Sequence, residues 1–250
     1  MRLPVDLVWL GTAEDAPRWS GGSVWFAGSS PANVAEALDS LLASDRTSPW
    51  ILFWGPSAGE IPDADVLDRL REQPGDVFHA GLALGTGGLP RLVDFVVPTW
   101  MLNRDPDATI EATSWRLSLA ACLARTDALS RLGGVRADFH TIVGAGLELG
   151  HRLISRGAFV RHVPSLLRSS APSPSRPAVL PVEDELRFVV LRFGRRWARW
   201  ALTRAILTGT VGVAEAVSAA RRLARLQLPP SAPAYRRPAS ESASLPHAGR

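Results

Sequence analysis

The fold class predicted by this sequence is α/β: a three-layer domain followed by a basic helical extension. Three observations lead there. Apolar runs rich in valine and tryptophan recur at Val5–Leu10, Ser23–Ala27, Trp50–Trp54 and Val77–Leu84, each bounded by Gly, Pro or Ser, which is the pattern of strands in a largely buried sheet. Helical patterns stand between these runs, and an alternation of strand and helix builds helical layers on the faces of a sheet. A proline-rich break then separates this region from an arginine-rich stretch of helical periodicity.

Pro31 follows Ser29 and Ser30 as a first helical residue, and Val34, Leu38, Leu41 and Leu42 fall on one face. Pro62 precedes a second helix over Asp63–Arg71, with Val66, Leu67 and Leu70 as its apolar stripe. The middle, Gly85 to Pro106, is rich in Gly and Pro and reads as a strand-like segment followed by a loop. The pattern then predicts a strand over Ser114–Ala121, a helix over Arg125–Leu132 closed by Gly133-Gly134, and a longer helix over Gly144–Arg156 closed by Gly157. A last strand follows at Phe159–Val163. Ser169–Pro181 reads as a proline-rich linker. Glu183 to Leu228 reads as helical and carries nine arginines; Val190, Phe193, Trp197, Trp200 and Ala201 share one face while Arg192, Arg195, Arg196 and Arg199 crowd the other. From Pro229 the chain is Pro/Ser/Ala-rich, the composition of a disordered tail. The expected organisation is a domain over 1–168, a linker over 169–182, a helical extension over 183–228 and a tail over 229–250.

Composition narrows the function classes. All 28 basic residues are arginine, since the chain has no lysine, and arginine suits planar, bidentate partners such as phosphate and carboxylate. The net charge of +4 is modest for 250 residues, which argues against nucleic acid as the partner. A single cysteine, Cys122, excludes a disulfide framework and a cysteine-based zinc site, and reads as a small buried hydrophobe. The apolar run near the start is short and interrupted by Asp6, so a secretory leader is not expected. No uncharged run approaches the roughly 20 residues that span a bilayer. A cytosolic protein is the expectation.

The stretch 124–164 carries a resemblance. It reads ARTDALSRLGGVRADF over 124–139 and AGLELGHRLISRGAFVRHVP over 145–164. Leu132-Gly133-Gly134, Phe139, Leu149, Arg152, Leu153, Gly157, Val160 and Pro164 occur in the order and spacing of family 2 glycosyltransferases, enzymes of the GT-A fold. A second segment, ILFWGPSAGEIPDADVLDRL over 51–70, resembles the strand and helix that carry the family's metal-binding DxD motif. Gly55 and Ser57 stand where the two aspartates would be. VWFAGS over 24–29 stands where a strand ends in a uridine-contacting aspartate, with Phe26 at that position. Ala145-Gly146 replaces the Glu-Asp pair whose aspartate is the family's general base, and Glu148 keeps an acid at a later position. The resemblance therefore implies a GT-A-like three-layer scaffold stripped of its acidic motifs.

Transfer from a nucleotide-diphosphate sugar expels a diphosphate whose charge needs neutralising, usually by a divalent cation on oxygen ligands. With the DxD lost, a Mg²⁺ or Mn²⁺ site is not expected, and no other cofactor is implied. Guanidinium groups bind phosphate through strong charge-assisted bonds, so the donor-binding candidates are Ser29, Ser57, Arg125 and Arg168. Glu148 and His151 are the catalytic candidates, within reach of an acceptor hydroxyl if they border the site. Two further readings stay open. The scaffold serves as a non-catalytic binding module, or the basic helix serves as an adaptor on an anionic membrane, with Arg192, Phe193, Arg196, Trp197 and Trp200 in contact with lipid. The partners implied are a nucleotide-diphosphate sugar, a cell-envelope or lipid-linked glycan acceptor, and the inner face of the plasma membrane.

Overall fold

The first strand shows why this sequence makes layers. In β1 (Val5–Trp9) all five residues are buried, yet they divide between two cores: Val5, Leu7 and Trp9 join one apolar cluster and Val8 the other. A strand's side chains alternate between faces, so burial of both sets means that the sheet is covered on both sides. The computed structural model describes residues 4–82, 92–93, 109–168, 180–224, 226 and 234–236. Most of the glycine-rich middle, most of the linker and most of the tail lie outside the described residues.

Among the described residues, seven strands form one mixed sheet. Beside β1 these are β2 (Val24–Phe26), β3 (Trp50–Trp54), β4 (Val77–His79), β5 (Ala112–Thr113), β6 (Ala121–Arg125) and β7 (Val160–His162). Their order across the sheet is β2-β1-β3-β6-β4-β7-β5. Strands β1, β2, β3, β4 and β7 point one way, while β6 runs antiparallel between β3 and β4, and β5 runs antiparallel at the edge. One face is covered by α1 (Pro31–Leu42), α3 (Thr126–Leu132) and α4 (Ile142–Ser155); the other by α2 (Ala64–Glu72) and a 3-10 turn at Pro164–Leu166. The chain is an α/β protein of three layers.

The strand expected at Ser114–Ala121 is not one. Residues 114–120 lie outside any strand, and the ladder begins at Ala121. The alternation there was real: Trp115, Leu117 and Leu119 are buried in the core shared with α4. Their burial is against a helix, so the period of two marks packing without marking pairing. Two glycines one turn apart on α4 explain the fit. A Cβ on Gly146 would stand 2.7 Å from the Leu117 carbonyl oxygen, and one on Gly150 would come closer still to that of Trp115. Only bare backbone lets the helix settle so near another main chain.

A polar residue in β1 also has a structural reason. The Asp6 carboxylate is buried and accepts the backbone N–H groups of Ser23 and Ser48 at 2.9 and 2.8 Å. It ties the starts of three strands together.

The arginine-rich stretch is three helices, α5 (Val182–Phe193), α6 (Arg195–Leu207) and α7 (Val213–Leu223). Gly194, at φ +86°, breaks the first from the second, so the continuous apolar face expected from Val190 through Ala201 does not form. Instead α5 packs on α4, and α6 and α7 pack on α5, all within the same core as α1, α3 and α4. Asp184 makes the join. Its carboxylate accepts the N–H groups of His140 and Thr141 and the Thr141 hydroxyl at 2.7 to 2.9 Å, while Thr141 itself caps α4 by accepting from the Gly144 N–H. The start of α4, with its positive dipole end, is thus closed by an acid from the extension.

Candidate functional site

In open α/β sheets, ligands bind beyond the carboxyl ends of the parallel strands. At that edge β1 gives way to Gly11-Thr12, β2 to Ala27–Ser30, and β3 to Gly55 and the turn Pro56–Ala58. Ser29 and Ser57 are both exposed there, on loops leaving strands two positions apart in the sheet, roughly 10 Å at ordinary strand spacing. Two tryptophans hold the loops. Trp9 donates its indole N–H to the Thr12 carbonyl at 2.8 Å and Trp54 to the Gly59 carbonyl at 2.9 Å. Phe26 is half exposed at the end of β2. The amino end of α1 also faces this edge, with Ser30 as its cap and no acid in its first turn, an arrangement favourable to an anion.

Arg168 follows the turn after β7 and crosses to the loop after β3, where its guanidinium pairs with Glu60 and Asp63. This cluster of one cation and two acids stands beside the loop after β3 that carries Gly55 and Ser57. A divalent ion does not fit it: Gly55 and Ser57 offer no carboxylate, the two nearest acids are both paired with Arg168, and no group of three His, Cys, Asp or Glu among the described residues is arranged to hold a metal. Arg168 also stands at the rim of a groove of about 440 Å³ between α2 and the segment 18–21, lined by Arg18, Trp19, Asp63, Leu67 and Arg71 among others. Neither Ser29 nor Ser57 lines that groove.

Arg125 does not join these residues. It ends the antiparallel strand β6 and pairs in register with Trp50, the first residue of β3, so it lies at the opposite edge of the sheet, roughly 13 Å along the strand from Trp54. Its guanidinium lies 5.3 Å from the Trp50 ring centre and pairs with Asp127 at 3.1 Å. The sequence placed it after a strand; the reversed direction of that strand puts it at the wrong end.

Glu148 and His151 are brought together, but inside the packing between α4 and α5. Glu148 is fully buried and accepts from Arg152 at 3.1 to 3.2 Å, with Arg192 of α5 at 3.4 Å. Arg152 spends its remaining N–H groups on the carbonyls of Leu132, Gly133 and Gly134. His151 sits in an aromatic cage of Trp115, Phe188 and Phe193, with ring centres 5.3 to 5.6 Å away; burial, aided by the Arg192 charge, pushes its pKa down to about 4. The position at which the resemblance would put a base is sterically closed, because a Cβ at Gly146 would stand 2.7 Å from the Leu117 carbonyl oxygen.

The same geometry reassigns two members of the basic helix. Arg192 turns inward to Glu148, and Phe193 packs on His151 and Phe188, so neither faces outward. Arg196, Trp197 and Trp200 are exposed. Sequence reasoning missed Asp184, Gly146, Gly150 and the internal role of Arg192. A signal existed for the glycines, since two glycines spaced i, i+4 inside a helix mark a close approach.

Two imidazoles are buried together in the sheet. His79 and His162 face each other in register across β4 and β7, ring centres 5.6 Å apart. Desolvation and the His162 ring push the His79 pKa down to about 3. Cys122 pairs with His79 on the neighbouring strand, and burial pushes its thiol pKa up.

No family model matches this chain, and no curated protein sequence does. Among solved structures it is similar to GalNAc-T7 bound to UDP, GalNAc and Mn²⁺, at 9% identity and a TM-score of 0.48, over 88% of this chain and 54% of that one. It is also similar to the mannosyltransferase PcManGT of Pyrobaculum calidifontis in complex with GDP-Man and Mn²⁺, at 15% identity and a TM-score of 0.41, over 90% of this chain and 80% of that one. The chain spans about half the length of the first of these.

Proposed function

We propose that this chain is a glycosyltransferase-like protein that binds a nucleotide-diphosphate sugar beyond the carboxyl ends of β1, β2 and β3 and transfers the sugar, without metal, to a cell-envelope or lipid-linked glycan. The observation that carries the reading is the ungapped series of family 2 positions from Leu132 to Pro164, which falls on the end of α3, on α4, on β7 and on the turn after it. The diphosphate would meet the amino end of α1, Ser29 and Ser57, and Arg168 would supply positive charge only by exchanging its carboxylate partners Glu60 and Asp63 for phosphate oxygens.

A second reading is favoured by one specific observation. Gly146 has no room for the base, and the nearby Glu148 is enclosed by Arg152 and Arg192. A relative without a base at that point serves as a binding or scaffolding module beside active transferases. One experiment separates the two. UDP- and GDP-sugars are titrated calorimetrically with Mn²⁺ and with chelator, and transfer or hydrolysis is then assayed. Binding that ignores chelator and is lost in Arg168→Ala supports the metal-free donor site, and turnover decides for the enzyme. Binding without turnover leaves the module. No binding of any nucleotide sugar overturns the transferase reading.

A further inference from the structure

Helix α6 is built inside out. The residues it buries are Ala198, Ala201 and Ala205, whereas Trp197 and Trp200 are 50% and 43% exposed and Leu207 81%. Trp197, Trp200, Arg204 and Leu207 fall at i, i+3, i+7 and i+10, one stripe along the helix. Of the eight large apolar side chains exposed among the described residues, five lie on α6 and α7, Val213 and Val217 being the other two. Such residues scattered singly mean nothing, but gathered on one element they mark a contact surface.

Charge chooses the occupant. No acid occurs between Arg195 and Ala214, while that span carries four arginines. Arg195 is consumed internally, donating to the carbonyls of Leu223, Ala224 and Leu226. Arg196, Arg199 and Arg204 are exposed, and the Arg204 guanidinium lies 5.5 Å from the Trp200 ring. The two tryptophans meet edge to face at 5.7 Å. An exposed stripe of indoles and one leucine, flanked by guanidinium groups on flexible stems, matches the boundary of a bilayer whose headgroups are negative: indole N–H and guanidinium stay with the headgroups while the ring bodies and the leucine enter the acyl region. No helix of the described residues is long and apolar enough to cross a membrane, so the contact is made lying in the surface.

We infer that α6 docks this protein onto an anionic phospholipid surface through Trp197, Trp200 and Leu207, with Arg196, Arg199 and Arg204 holding the headgroups. The inference stands apart from the transferase reading, because nothing in it uses the sheet edge. The test is flotation of the full chain with vesicles of phosphatidylcholine alone and of phosphatidylcholine mixed with phosphatidylglycerol. Binding is expected only with the anionic lipid and is expected to weaken as salt rises. Trp197→Ser with Trp200→Ser is expected to reduce the partition coefficient tenfold or more, and Arg196→Gln or Arg199→Gln roughly fivefold each. These side chains are exposed, so the melting temperature should hold in every variant. Phe159→Ser, an exposed apolar residue elsewhere, should bind like the parent. Absence of binding to anionic vesicles, or equal binding by the double tryptophan variant, overturns the inference. So does concentration-dependent self-association that the same variant abolishes without lipid binding, which would give the stripe to a second copy of the chain.

Discussion

Replacing Glu148 by glutamine tests whether the one acid kept near the base position is chemistry or architecture. The substitution preserves shape and removes the charge that compensates Arg152 and Arg192. Both guanidinium side chains are about nine-tenths buried and the carboxylate is wholly buried. Breaking a buried ion pair by removing one partner typically costs about 3–5 kcal/mol, since the remaining charge is left uncompensated. Arg152 keeps three carbonyl acceptors, which places the expected loss toward the lower figure; Arg192 loses its carboxylate partner while three like charges, Arg152, Arg156 and Arg136, remain near it. For a protein of this size each kcal/mol moves the melting temperature by roughly 2–4 °C, so a drop on the order of 10 °C is expected. The assay is thermal or urea unfolding of Glu148→Gln beside Arg192→Leu and the double variant. A positive coupling energy above about 1 kcal/mol is expected between the two sites. A variant that melts with the parent yet loses transfer or donor binding would refute the architectural role and return Glu148 to the chemistry.

Three further outcomes follow from the packing and the buried imidazoles. Gly150→Ala gains helix propensity of about 1 kcal/mol but drives a methyl group into the Trp115 carbonyl, so a net destabilisation of about 1–3 kcal/mol is expected in urea unfolding; a stabilised variant would mean that α4 can lift off residues 115–117. Gly146→Asp, which introduces the acid that the resemblance implies at this position, is expected to destabilise for the same reason and to yield no turnover. The pH dependence comes from His79 and His151, whose folded pKa values are lowered to about 3 and about 4 from 6.5 in the unfolded chain. The unfolded state then binds more protons below 6.5, so stability is full above that pH and falls as pH drops toward 4, by roughly 1.4 kcal/mol per pH unit for each ring. Melting at pH 5 should lie well below melting at pH 7, and His151→Phe should shallow the slope; identical melting at the two pH values would mean that the rings are solvated.

The sequence by itself determined the elements whose signals are local. Trp50–Trp54 is a strand because five large apolar residues can be buried on both faces only in the middle of a layered sheet, and α1 starts at Pro31 because proline fits a first helical turn. The glycine pair at 133–134 and Gly157 ended their helices for the same local reason. Position relative to distant chain was decided by tertiary structure. The reversed direction of β6 sent Arg125 to the far edge of the sheet, which no pattern within residues 121–125 records. Gly194 split the basic stretch, so Arg192 turned inward to Glu148 while Trp197 and Trp200 turned outward, reversing the faces that a single helix would have shown. Glu148 looked like a reachable acid because its sequence neighbours say nothing of Arg192, which lies 44 residues on. Periodicity tells which residues seek burial; only the packed chain decides what they are buried against, because a side chain's desolvation and charge partners are set by elements far away in sequence.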